Sequence, residues 1–181
     1  MNTCIALLRG INVSGQNSVK MDDLTAIFRE LDFTDIRTYI QSGNVIFKST
    51  QTSCDELEKM ISERILLKLG MNVKTFVFDE KSFEGIIGKN PFIADKTKEQ
   101  AFLHITFLSD RPDKLLIESL QSFKLPEEEF LINNRAIYLY CPKGYGKTKL
   151  NNTLFEKKLK TVATTRNWRT VIEILKIAQN Q

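Results

Sequence analysis

The chain has 181 residues, 26 Lys or Arg against 22 Asp or Glu, a net charge of +4, and 42% hydrophobic residues. A chain of this length and composition is globular and buries about two-thirds of the surface it exposes when unfolded. No apolar run approaches the roughly 18 residues of a membrane span, and no basic stretch precedes an apolar one at the N-terminus, so the expectation is a chain with no membrane partner and no signal peptide.

The predicted elements begin with a strand over residues 4–9, apolar on both faces as in a central strand. A polar loop follows, Arg9-Gly10-Ile11-Asn12-Val13-Ser14-Gly15. Met21, Leu24, Ile27, Phe28 and Leu31 then recur at helical spacing, with Asp22 and Asp23 at the positive end of the helix. Residues 35–41 and 44–49 read as strands, joined by Ser42-Gly43 as a two-residue turn. Ser53 and Glu56 open a second helix as a capping box, Gly70 closes it, and residues 73–78 read as a fourth strand. Asp79 is placed as the cap of a short helix through Phe83, Ile86 and Ile87.

Residues 95–100 are polar and charged, a linker or exposed loop. A second round of elements follows. Residues 101–108 form a strand, Asp110 and Pro112 start a helix, and residues 128–132 and 136–141 form a hairpin. A basic helix carries Leu150, Leu154 and Leu159. Residues 161–164 are placed as a short last strand, and Thr165 as the cap of a final helix with Trp168, Val171, Ile172 and Leu175 on one stripe. Strand-helix-strand-strand-helix-strand is the split βαβ order. The expected fold is therefore α+β: two ferredoxin-like (α/β-plait) domains, antiparallel sheets with helices packed on one face. Their expected extents are residues 1–79 and 101–181, with a helix and linker over 80–100 and an added C-terminal helix.

Charge is unevenly placed. Residues 1–142 hold 17 Lys or Arg and 20 Asp or Glu, net −3; residues 143–181 hold 9 and 2, net +7. Such a segment points to an anionic partner or to a solvated face. Within it, Lys143, Lys147 and Lys149 surround Gly144 and Gly146 ahead of a helix, where backbone N–H groups favour negative charge. The run imitates a P-loop, but the pattern would require glycine at 141, where the chain has Cys141. Arg166 and Arg169, three apart, are read as one pair able to fork onto phosphate or carboxylate. These five cations are the expected anion-binding set.

A second set is polar: Arg9, Asn12, Gln41 and Asn44. Arg9 leaves a buried strand either to contact a ligand or to pair with Asp22 or Asp23. The topology leaves open whether the two loops holding these residues share one end of the sheet. Stacking recognition of RNA is not expected, because residues 4–9 have no aromatic side chain and 44–49 have only Phe47. His104, the sole histidine, alternates with apolar neighbours as a core residue does. The three cysteines, Cys4, Cys54 and Cys141, are too scattered for a disulfide framework or a metal motif and are read as free thiols of a cytoplasmic protein. No metal and no cofactor is implied, and no catalytic constellation stands out.

Leu7-Leu8-Arg9-Gly10-Ile11-Asn12-Val13 and Tyr39-Ile40-Gln41-Ser42-Gly43-Asn44-Val45, with Asn90-Pro91-Phe92, His104-Ile105-Thr106-Phe107, Gly146-Lys147-Thr148-Lys149-Leu150 and Thr164-Thr165-Arg166-Asn167-Trp168, resemble the bacterial domain of unknown function 1697. Ser14 and Thr148 depart from that family's usual glycine and serine. The resemblance implies two ferredoxin-like domains in a small bacterial cytoplasmic protein and supplies no activity. Three functions stay open on the sequence: a protein binding nucleic acid or a nucleotide through its basic C-terminal segment, an enzyme acting on a small phosphorylated or carboxylated metabolite at the Arg9–Asn44 loops, or a protein-interaction module. Oligomerisation fits the third.

Overall fold

The computed structural model describes residues 1–13 and 17–181; the motif positions Ser14 and Gly15 lie outside the described residues. The chain divides into two compact units, the first of residues 1–85 with 173–181 and the second of residues 86–172. Two four-stranded antiparallel sheets and six α-helices are present among the described residues.

The first unit runs β1 (Asn2–Leu8), α1 (Met21–Arg29), β2 (Thr34–Tyr39), β3 (Asn44–Ser49), α2 (Cys54–Leu69) and β4 (Thr75–Asp79). Its strand order is β2-β3-β1-β4. Cys4, Ala6 and Leu8 alternate onto the face where Leu24, Phe28, Phe47, Leu57, Ile61 and Val77 assemble the core. Phe28, Phe33 and Phe47 meet edge-on or tilted, with centroids 4.5–5.8 Å apart. Ile5 and Leu7 on the other face of β1 are buried as well, which explains why this strand is apolar on both sides. Ser53 accepts from the Glu56 N–H at 3.3 Å, but Glu56 reaches Gln51 instead of returning to Ser53, so only half of the capping box forms. Asp79 does cap α3 (Glu80–Gly88), accepting from the Ser82 N–H at 2.8 Å.

The second unit repeats the order as β5 (Leu103–Leu108), α4 (Lys114–Glu118), β6 (Glu129–Asn133), β7 (Ala136–Tyr140), α5 (Asn152–Leu159) and β8 (Ala163–Asn167), with strands arranged β6-β7-β5-β8. Leu108, Leu120, Ile137, Leu139, Phe155 and Leu159 form its core. The helix before β6 is capped by Asp113 rather than Asp110, because Pro112 keeps the preceding Arg111 out of the helical region. The last strand reaches Asn167, past the expected 161–164. Asn167, not Thr165, caps α6 (Trp168–Gln179) by accepting from the Thr170 N–H at 2.8 Å.

One further expectation is corrected, and one question the sequence left open is answered. β2 stops at Tyr39, so the hairpin connection spans residues 40–43 rather than two residues, with Ile40 and Gly43 at φ +49° and +72°. A Cβ on Gly43 would lie 2.8 Å from Leu8 Cβ and from Ile11, so only glycine lets this loop close onto the end of β1. Because β1 and β3 are antiparallel with Leu7 opposite Asn44, the two polar loops share one end of the sheet.

Candidate functional site

At the end of the first sheet where β1 stops, the polar side chains interlock. Asn12, at φ +53°, donates to the carbonyls of Val19 and Gln41 at 2.9 and 2.8 Å and accepts from the Val19 N–H at 2.8 Å. Asn17 donates to the Gly10 carbonyl at 3.1 Å. Asn44, fully buried, donates to the Tyr39 carbonyl and the Ser42 hydroxyl, both at 3.0 Å. Amides that bridge separate backbone segments fix loop shape. Asn12 thus ties the two loops together and Asn44 fixes the second of them, while the Gln41 side chain is exposed and Arg9 is half-buried and engaged by neighbouring groups.

The basic residues gather at the opposite end of the equivalent sheet. β7 and β8 flank β5, and Tyr140 and Asn167 lie opposite Leu103 and His104, so the loop after β7 and the start of α6 emerge together. Gly144 turns that loop at φ +91° and donates to the Cys141 carbonyl at 2.8 Å. A 3₁₀ turn over Tyr145–Lys147 follows, and Asn151 caps α5 by accepting from the Leu154 N–H at 3.1 Å. Lys147 and Lys149 are exposed, and no acidic side chain among the described residues forms an ion pair with either. Lys143 is exposed and pairs with Glu127.

The arginines separate. Arg166 lies on β8, only 8% exposed, and donates to Thr164 Oγ1 at 2.8 Å and to the Thr165 carbonyl at 3.0 Å. Burial pushes its guanidinium down to about 10, still protonated at neutral pH. Arg169 is exposed in the first turn of α6. The change from strand to helix at Asn167 breaks the three-residue spacing that would have set them side by side, so Arg166 belongs to the interior and Arg169 to the surface.

Beneath the lysine loop is a partly buried polar cluster that no linear motif announces. Tyr145 donates from its hydroxyl to Thr165 Oγ1 at 3.0 Å, Thr165 donates to Asn152 Oδ1 at 2.6 Å, and Thr106 lies 2.7 Å from Thr165. The His104 ring stacks on Tyr145 with centroids 4.8 Å apart. Burial lowers the His104 pKa, partly offset by a 3.2 Å hydrogen bond from Nδ1 to the Phe102 carbonyl. Burial raises the Tyr145 hydroxyl, against which its bond to Thr165 acts. The cluster satisfies its own hydrogen bonds and ties β5, β8, the loop and the start of α5 into one unit. The residues come from positions 104, 106, 145, 152 and 165, and only the strand alternation that turns 104, 106 and 165 to one face could have grouped them.

The thiols are quiet: burial pushes Cys4 and Cys141 up to about 11 and about 12, and Cys54 is raised also. Among the described residues, no group of three or more His, Cys, Asp or Glu side chains is placed to hold a metal ion. None of their helices is long and apolar enough to cross a membrane.

These features define an α+β chain of two antiparallel-sheet units, one ending in locked amide loops and the other in a lysine loop over a polar cluster. The sequence model of the family described as "Protein of unknown function (DUF1697)" matches residues 1–138, and the chain belongs to that family. Among solved structures, the chain is similar to "conserved bacterial protein SP0830 from Streptococcus pneumoniae", at 22% identity over 98% of each chain with a TM-score of 0.78. No curated protein matches the chain. The blocks at 146–150 and 164–168 lie beyond the residues matched by the family model, while the structural likeness spans them.

Proposed function

We propose that the chain is a binding protein whose second half recognises a polyanion, with nucleic acid as the class of partner. The observation that carries this reading is the pair of exposed, unneutralised lysines, Lys147 and Lys149, at the end of the 3₁₀ turn ahead of α5. The first turn of α5 has no acidic residue, so nothing offsets its positive end. Arg169 lies at the same end of the sheet, and the whole segment 143–181 is net +7. Lys143, which also contacts Glu127, extends the surface, and Arg166 supports it from within rather than touching a ligand. The strand orders β2-β3-β1-β4 and β6-β7-β5-β8 support reading residues 1–79 and 101–181 as two ferredoxin-like plaits. The free thiols Cys4, Cys54 and Cys141 support a reducing, cytoplasmic compartment.

The test is fluorescence anisotropy with labelled single-stranded RNA, single-stranded DNA and duplex DNA, for the wild type and for Lys147→Ala with Lys149→Ala. Removing one lysine that neutralises a phosphate should reduce the slope of log K against log salt by roughly 0.7 to 0.9. Binding that falls in the double variant with a slope smaller by about 1.5 supports the reading. Absence of binding to any of the three at about 50 mM salt overturns it.

A further inference from the structure

Each sheet has two edges, and an edge left with free N–H and C=O groups is a template for another strand. Three of the four are blocked. Val77 on β4 donates its N–H to Glu58 Oε1 of α2 at 3.0 Å. Ala163 on β8 donates to Glu156 Oε1 of α5 at 3.0 Å. β2 is broken by a bulge between Thr34 and Arg37, where Asp35 sits at φ +48°, pairs with Lys48 at 2.7 Å, and accepts at its carbonyl from Gln181 at 2.7 Å.

Among the described residues, β6 has none of these devices. Its register with β7 runs unbroken from Glu129 opposite Tyr140 to Asn133 opposite Ala136, around a two-residue turn with Asn134 at φ +54°. Such a turn closes on a hydrogen-bonded pair, so Asn133, Leu131 and Glu129 direct their backbone groups to β7, and Phe130 and Ile132 direct theirs outward. The next outward residue, Glu128, is already satisfied: its N–H donates to the Leu125 carbonyl at 3.0 Å and its carbonyl accepts from Lys124 at 3.0 Å. The open edge is therefore short and defined. Leu131 stands on it, 43% exposed.

We propose that this edge is a self-association surface: two copies of the chain pair β6 to β6, antiparallel, about a two-fold axis through Leu131. The occupant is chosen by self-complementarity. With Leu131 on the axis, Phe130 of one copy exchanges hydrogen bonds with Ile132 of the other, and the two Leu131 side chains meet as a close, non-hydrogen-bonded pair. Glu129 comes opposite Asn133 and diagonal to Arg135, so the acidic start of each strand meets the basic end of its copy. Parallel pairing would instead set Glu129 against Glu129. Within each copy Glu129 also pairs with Lys98, at 2.6 Å.

An interface this small is of the weak class, so sedimentation equilibrium on the full chain is carried up to roughly 500 µM. The average mass of the wild type is expected to rise from 20.9 kDa toward twice that value. Leu131→Asp and Leu131→Lys place like charges together on the axis, and each is expected to stay at the monomer mass. Mixing the two variants puts opposite charges there and is expected to restore the pair. Circular dichroism confirms that both are folded, and Arg135→Glu, which opposes Glu129 of the copy, is expected to weaken association without touching Leu131. A wild type that stays monomeric throughout, or charge variants that associate as the wild type does, or a mixture that does not recover, would overturn the proposal.

Discussion

The two units share a backbone scaffold and differ in what fills it. Leu8 donates its N–H to the Gly43 carbonyl at 2.8 Å, as Leu108 does to the Arg135 carbonyl at 2.9 Å. Arg9 donates to Lys74 as Ser109 does to Val162, each at 2.9 Å. Asp79 caps α3 through Ser82 just as Asn167 caps α6 through Thr170. Glu58 and Glu156 shield equivalent strand edges. On that common frame, β1 turns Cys4, Ala6 and Leu8 toward its helices where β5 turns His104, Thr106 and Leu108. Backbone geometry is set by hydrogen bonds that almost any residue can make, so side chains are free to diverge. The first unit uses that freedom for an apolar core and amide-locked loops, the second for a polar cluster under exposed lysines.

The difference can be broken first where the scaffold is least forgiving. Gly43→Ala forces a Cβ against Leu8 in left-handed backbone and is expected to cost about 2–4 kcal/mol by urea denaturation. Arg135→Ala, at the equivalent place, is expected to stay within about 0.5 kcal/mol. Next come the strand faces. Thr165→Val removes the hydroxyl shared by Tyr145, Asn152 and Thr106 and is expected to destabilise by about 1–3 kcal/mol. The reciprocal change, Ala6→Thr, puts a hydroxyl into a core with no partner built for it and is expected to cost a similar amount. If Ala6→Thr were neutral, the two faces would be interchangeable and the contrast would fail.

Sequence reading reached the element order of both units, because helical spacing in α1 and the breaks at Gly70 and Asp79 are local signals. It missed the length of the 40–43 connection and the strand at Arg166, which depend on pairing with β3 and β5. Asn12 and Asn44 were legible as notable but not in their role, since an amide's bonds to loop backbone have no fixed spacing. The lysines of 147–149 were legible because charge needs no geometry; the hydroxyl cluster beneath them was not, because its members come together only when β5 and β8 pair.

A smaller effect sharpens the contrast by pH. The folded pKa of His104 lies below its ordinary value of 6.5, chiefly through burial. The unfolded chain then binds the proton more readily, so the stability His104 contributes is complete above about 6.5 and declines as pH falls from there toward the folded value. Urea midpoints measured from pH 7.5 down to about 5 should drop in the wild type and drop less in His104→Gln, the remaining fall coming from carboxylates. An equal slope in both would mean that His104 is no more buried than in the unfolded chain. The smallest effect on stability is expected for Lys147→Ala with Lys149→Ala, within about 0.5 kcal/mol, since both side chains are exposed and unpaired.

On the proposed function, the lysine loop of the second unit meets the anionic partner, and the amide-locked loops of the first do not. Amide chemical shifts of the ¹⁵N-labelled chain, followed as a short single-stranded oligonucleotide is added at low salt, separate the two. The shifts are expected to concentrate on residues 143–151 and on Arg169, and to vanish as salt is raised. Shifts confined to residues 9–13 and 40–44, or none anywhere, would contradict that assignment.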